Sequence, residues 1–358
     1  MKRVALLLLA VLALPLAYLL FWPVPIEPVA WQAPPAPERG EPDAAGPALA
    51  DAERLGRDAG VGPEDVAVDR SGRIYAGYED GYIRRLAADG SGAETLADTG
   101  GRPLGLAWAP DGSLVIADAE QGLLAMREDG SLRTLATAAG GQALGFADDV
   151  DVAADGTIYF SDASTKFGYH AVMADILEHG GHGRLLRYEL TADETTVLSD
   201  GLQFANGVAV GPDERYVLVT ETGAYRVKRV WLKGPRAGQT EVFIDNLPGL
   251  PDNISYDAER DIFWLALYAP RNPSLDFMAD KPWLRKVAFR LPAALQPEPE
   301  KLGFVLGLAP SGRIVHNLQD SGADAYAPIT SVEAAGDSLY LGSLLQPAIG
   351  RLPVPTDD

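Results

Sequence analysis

A strand–turn–strand unit recurs six times along this chain, at 67–75, 106–115, 152–160, 210–218, 256–264 and 332–340. No other feature constrains the fold as tightly. Most units place turn residues such as Ser71-Gly72, Asp111-Gly112 or Asp155-Gly156 between alternating apolar residues. That pattern reads as a hairpin, because such residues adopt the turn backbone that apolar neighbours resist. Third strands of an Arg-Leu type follow at 81–86, 122–126 and 183–188. Spacings mostly of about 40 to 60 residues are those of propeller blades. The expectation is an all-β, six-bladed β-propeller; a sandwich or two small barrels would not carry six near-equal units. The last repeat stops soon after Gly350-Arg351-Leu352 and lacks an outer strand. Residues 52–58 would supply it and close the ring with strands from both ends, leaving no exposed sheet edge.

In a closed circular repeat, equivalent positions converge on one axis. Aligned on the strand that opens each repeat, a first column reads Glu64, Leu104, Asp148, Asn206, Asp252 and Thr330. A second reads Asp65, Gly105, Asp149, Gly207, Asn253 and Ser331. Glu64, Asp148, Asn206 and Asp252 are all oxygen donors, without sulfur or histidine among them. Such a set suits Ca²⁺ and, less well, Mg²⁺ or Mn²⁺. Any one Asp or Asn before a strand is more often a turn cap. Recurrence at one register in four repeats argues for a shared metal site.

The N-terminus reads differently. Lys2-Arg3 precede an apolar run at 4–22, near the length needed to span a bilayer. With no small-residue cleavage site after it, 1–22 reads as a signal anchor, N-terminus cytoplasmic and propeller on the periplasmic or extracytoplasmic side. Secretion after cleavage is the competing reading. Residues 23–49, rich in Pro, Ala and Glu, read as an extended tether, and 50–356 as the propeller. Insertions at 167–182 and 271–299 would project from one face, where lids sit, with a short helix at 171–178.

A formal net charge of −20 opposes nucleic-acid binding and docking of the folded domain on anionic lipid. The absence of cysteine excludes a disulfide partner, a thiolate nucleophile and Cys-ligated zinc. No Gly-x-Ser-x-Gly elbow, phosphate loop or dinucleotide fingerprint is present. His179 and His182 lie in the first insertion and would line a pocket entrance, though a loop histidine is usually only solvated; His316 reads as structural.

Several motifs are familiar: 148–151 leading to 159–162, Phe204-Ala205-Asn206-Gly207-Val208, 247–254, 281–286 and 339–343. Through them the chain resembles the strictosidine synthase-like group of the SMP-30/gluconolactonase/paraoxonase superfamily, in the branch of the adipocyte plasma membrane-associated proteins. The resemblance implies a six-bladed propeller with an axial divalent cation, usually Ca²⁺, held by Glu64, Asp148, Asn206, Asp252 and Asn253. Many relatives have Asn-Asp where this chain has Asp148-Asp149; the extra carboxylate should strengthen cation binding and weaken Lewis acidity. The histidine pair of paraoxonases falls at Leu104 and near Asp118, and the glutamate of strictosidine synthases at Thr330. Neither chemistry is therefore expected. The resulting expectation is a membrane-anchored, metal-dependent lactonase or arylesterase acting on a small ester or lactone, with Asp252 accepting a proton from the attacking water. The alternatives are a metal-stabilised binding or scaffold propeller, or a strictosidine synthase-like enzyme without condensation activity.

Overall fold

The computed structural model describes residues 13–41, 49–292, 295–296 and 299–355. Six four-stranded antiparallel sheets form the blades of a propeller. Their innermost strands are Val66–Val68, Pro103–Trp108, Ala147–Val152, Ala205–Val210, Gly249–Asp257 and Ser331–Ala335, opening blades 1 to 6 in chain order. The outer strand of blade 6 is Glu53–Leu55, which pairs antiparallel with Ile349–Pro353. The ring is thus closed by the segment expected from sequence.

The second strand of most blades is buried throughout, because both of its faces are covered. In Ile158–Asp162, Ile158 and Phe160 pack toward blade 2 while Tyr159 packs toward blade 4. Each of the six blade-to-blade interfaces has its own apolar cluster. The turns hold as their residues require: Asp111 and Asp155 each accept the backbone N–H two residues on, while Gly112 and Gly156 take positive φ.

Both insertions lie over one end of the ring. The first carries the helix Val172–Glu178, at the place expected. The second carries Pro273–Met278 and Pro282–Phe289. Asn272 caps the former, its side chain accepting from the Ser274 and Leu275 backbone N–H groups.

The expectation of a membrane-spanning anchor at 1–22 is corrected. Among the described residues no helix is long and apolar enough to cross a membrane, and residues 1–12 lie outside the described residues. The described helical stretch is 13–21. Its end is capped by this chain's own Arg290, whose guanidinium donates to the carbonyls of Leu19 and Trp22 at 2.7 and 2.6 Å. The sidedness inferred from the anchor falls with it. Residues 23–41 are without helix or strand, as their prolines dictate, yet they lie against the propeller, with Ile26 completely buried.

Candidate metal centre and the cavity above it

The innermost strands of blades 2 to 5 share one irregularity. Their pairing slips between Pro103 and Leu106, Ala147 and Val150, Ala205 and Val208, and Pro251 and Ile254. Each slip is a β-bulge spanning the two columns read from sequence, and a bulge re-aims the side chains it carries. The columns part there. Glu64, Leu104, Asp148, Asn206 and Asp252, from the first column, line a cavity of about 620 Å³ under the insertions. Asp65, Asp149, Asn253 and Ser331, from the second, line a separate space of about 200 Å³ along the axis. Asn253, expected among the ligands, therefore lies behind the floor rather than on it.

The floor gathers buried acidic groups with few counter-charges. Glu64, Asp148 and Asp252 are all buried. Burial and the nearby carboxylates Asp252, Asp65 and Asp148 hold Glu64 well above its usual range. Burial and Asp252 do the same to Asp148, with Arg102 pulling it down. Burial pushes Asp252 up to about 8, the Asn206 side chain pulling the other way. Asn253 donates its amide to Glu64 Oε1 at 3.2 Å. The Glu64 carbonyl is held by the hydroxyls of Thr330 and Ser331, at 2.7 and 2.9 Å. Thr330 thus positions the backbone of blade 1, where the resemblance would have put a catalytic glutamate.

Four buried oxygens here have no hydrogen-bond partner: Glu64 Oε2, Asp148 Oδ2, Asn206 Oδ1 and Asn253 Oδ1. Leaving such acceptors unsatisfied is costly. Among the described residues no three His, Cys, Asp or Glu side chains bunch tightly enough to be a metal cluster by themselves. The carboxylates come instead from three different blades. By donor chemistry and by the three idle oxygens of Glu64, Asp148 and Asn206 on the floor, the residues fit a hard divalent cation.

The second-column carboxylates Asp65 and Asp149, and Asp151 two residues further on, are all engaged. Asp149 accepts its own blade's Val150 N–H at 2.8 Å and the next blade's Val208 N–H at 2.7 Å. Asp151 does likewise with Val152 and Val210, both at 2.7 Å. Asp65 accepts from Leu106 of blade 2 at 2.9 Å. These residues stitch one inner strand to the next. Gly105 and Gly207 sit between the stitches because a Cβ at either would come within 2.6 Å of the adjacent strand.

The cavity walls were mostly unread in the sequence. Phe146, Phe204, Leu250 and Leu344 surround the floor, and Val172, Ile176, Leu275 and Met278 roof it. Tyr268, one blade-strand away from Asp252, and Tyr169 also reach the lining. Only the insertion lengths hinted at a roof. The histidines expected at the entrance do not line the cavity. His182 Nε2 pairs with Glu178 at 2.7 Å, and buried His179 stacks on Trp31 with ring centroids 4.3 Å apart. His316 stacks on Trp264 at 5.4 Å.

Comparison with known proteins accords with this architecture. The strictosidine synthase family model matches residues 148–235, and that for the strictosidine synthase-like N-terminal region matches 44–86. An adipocyte plasma membrane-associated protein of Salmo salar is 35% identical over 329 residues, covering 85% of this chain and 78% of the relative. Among solved structures, a gluconolactonase from Xanthomonas campestris superposes with a TM-score of 0.62 at 18% identity, covering 92% of this chain and 100% of that one. A regucalcin from Agrobacterium tumefaciens, described as a calcium-binding protein, superposes with a TM-score of 0.58 at 17% identity, covering 87% and 94%. At such identities these two structures speak to the fold alone.

Proposed function

Since this chain belongs to the strictosidine synthase-like family, together with the adipocyte plasma membrane-associated proteins, we propose that it is a cation-dependent hydrolase of uncharged esters or lactones acting at the cavity floor. The observation that carries this reading is the set of partnerless buried oxygens of Glu64, Asp148 and Asn206 at the base of an apolar cavity. A divalent cation, Ca²⁺ by donor chemistry and Mg²⁺ or Mn²⁺ less well, would be held by Glu64, Asp148, Asn206 and Asp252 with Asn253 behind, and would supply Lewis-acid polarisation of a carbonyl.

The chain's own groups do the rest. Asp252 takes a proton from water as the water oxygen bonds to the acyl carbon. The acyl C–O bond then breaks, and the departing oxygen takes that proton back from Asp252. Net change is one water added across the acyl–oxygen bond. Leu104 and the phenylalanine walls keep bulk water from the floor, which strengthens charge interactions there. Arg271 is the one Lys or Arg among the described lining residues. It is already committed to Asp276 at 2.9 Å, to Asn246 and to the Pro34 carbonyl. The site therefore favours a neutral substrate with an apolar body over an anionic one.

The test is hydrolysis of phenyl acetate and small lactones by the full chain, with EDTA and then with Ca²⁺, Mg²⁺ or Mn²⁺ restored. Activity lost to chelator and rescued by one ion supports the reading. A folded, cation-loaded protein that turns over nothing on the panel favours the second reading, a binding propeller whose cation pins the blades. Support for that second reading lies in the bonds joining Glu64 of blade 1 to Thr330, Ser331 and Asn253 of blades 6 and 5.

A further inference from the structure

The cavity roof is made of three short helices, none belonging to a blade. Val172–Glu178 presents Val172, Met173 and Ile176 to the cavity, Pro273–Met278 presents Leu275 and Met278, and Pro282–Phe289 presents Ala288. Helices this short are marginal on their own and need tertiary packing. What joins them is the N-terminal segment, which crosses behind all three.

Ile26 is fully buried in a cluster with Phe167, Ala174 and Leu177, against which Val24, Leu275 and Phe289 pack. That one cluster includes a residue from each roof helix. The backbone adds direct ties. Glu27 N–H donates to the Glu178 carboxylate and Val29 N–H to the Glu178 carbonyl, both at 2.8 Å. Arg285 of the third helix donates to the Val29 carbonyl at 3.0 Å. Trp31 N–H donates to the carbonyl of Ala279, just past the second helix, at 3.1 Å, and its ring stacks on His179. Arg271, on the cavity lining, donates to the Pro34 carbonyl at 2.6 Å.

We propose that residues 24–35 are a positioning element of the cavity: this strap holds the three roof helices in register above the floor and so fixes the size of substrate accepted. No strap residue lines the cavity, so its action passes through the helices. The substrate half of this inference rests on the hydrolase reading; the structural half does not.

The experiment compares full-length wild type with Ile26→Asp and Val29→Pro, the second removing only one backbone donor and adding a ring. Amide hydrogen exchange is followed at 172–178 and 273–289 and, as the control, in the second strands of the blades. The expected result is exchange at least about tenfold faster in the roof helices, with blade strands unchanged, since local opening need not involve the ring. In hydrolysis assays, KM for a bulky apolar lactone should rise several-fold while kcat for phenyl acetate holds. Roof exchange unchanged in Val29→Pro and Ile26→Asp would overturn the proposal, as would an equal change in KM for large and small substrates. If Ile26→Asp loosens the blades too, Val29→Pro decides. If the wild type shows no chelator-sensitive hydrolysis, the hydrolase reading has failed and exchange alone judges the strap.

Discussion

Asp148 and Asp149 are adjacent, equally buried and carried by one bulge, yet they live in different chemistry. Asp148 faces the cavity with an oxygen that has no partner. Asp149 faces the axis with each oxygen bonded to a backbone N–H from a different blade. The same contrast separates Glu64 from Asp65. Residue type and burial therefore do not distinguish a ligand-ready carboxylate from a structural one. The inventory of its hydrogen bonds does.

The contrast is sharpest in variants. Asp252→Asn keeps the shape of the floor and removes its proton acceptor. Hydrolysis should fall by about 10²–10⁴-fold, the range for losing a general base, with the thermal midpoint of the cation-free protein little changed; steady-state kinetics and a melting curve in EDTA decide. Asp149→Ala should do the reverse. It leaves the Val150 and Val208 N–H groups buried without an acceptor, which costs about 2–5 kcal/mol, read by urea denaturation. Equal stability losses in the two variants would break the distinction between floor and axis.

Cation removal probes the floor alone. Saturation at 100 times Kd stabilises a folded protein by about 2.7 kcal/mol. That increment should shrink in Asp148→Asn, which lowers cation affinity, and persist in Asp151→Asn, whose parent side chain touches only backbone donors. Calorimetric melting with and without Ca²⁺ separates them. The smallest effect, over a single pH unit, concerns the strap. Burial, with Arg285 and Arg226 nearby, lowers the pKa of His179 from 6.5 to about 3. The unfolded chain then binds a proton that the folded chain refuses between those values. Stability should fall as pH drops below about 6.5, by at most about 1.4 kcal/mol per unit. His179→Phe should remove that part of the slope in pH-dependent denaturation.

The ring was legible because hairpin turns and apolar alternation are local. The strand at Glu53–Leu55 was legible because a blade short of one strand demands a partner. The donor columns were legible because repeats keep register. Their opposite destinations were not, since a bulge has no residue signature: Asp148-Asp149 looks like one acidic pair until the strand pairing is known. The proline-rich segment after residue 22 misled for a related reason. Composition gave an extended backbone correctly, but Ile26 is buried by residues more than a hundred positions away. The apolar run before it was read from its hydropathy, its Lys2-Arg3 flank and the lack of a cleavage site, all of which are blind to Arg290 waiting at its end.

The closure of blade 6 also governs how the chain is made. Glu53 and its partner Arg351 are 298 residues apart. At roughly 5–20 residues per second of synthesis, the strand Glu53–Leu55 waits roughly 15–60 s for the strand it must join. Through that interval Val66, Ile74, Ala76 and Tyr78 of blade 1 lack Tyr340 and Ile349, the late-made residues of blade 6 that complete their cluster. The nascent chain spends its whole translation with an open seam, and conditions that slow the ribosome lengthen its exposure to aggregation.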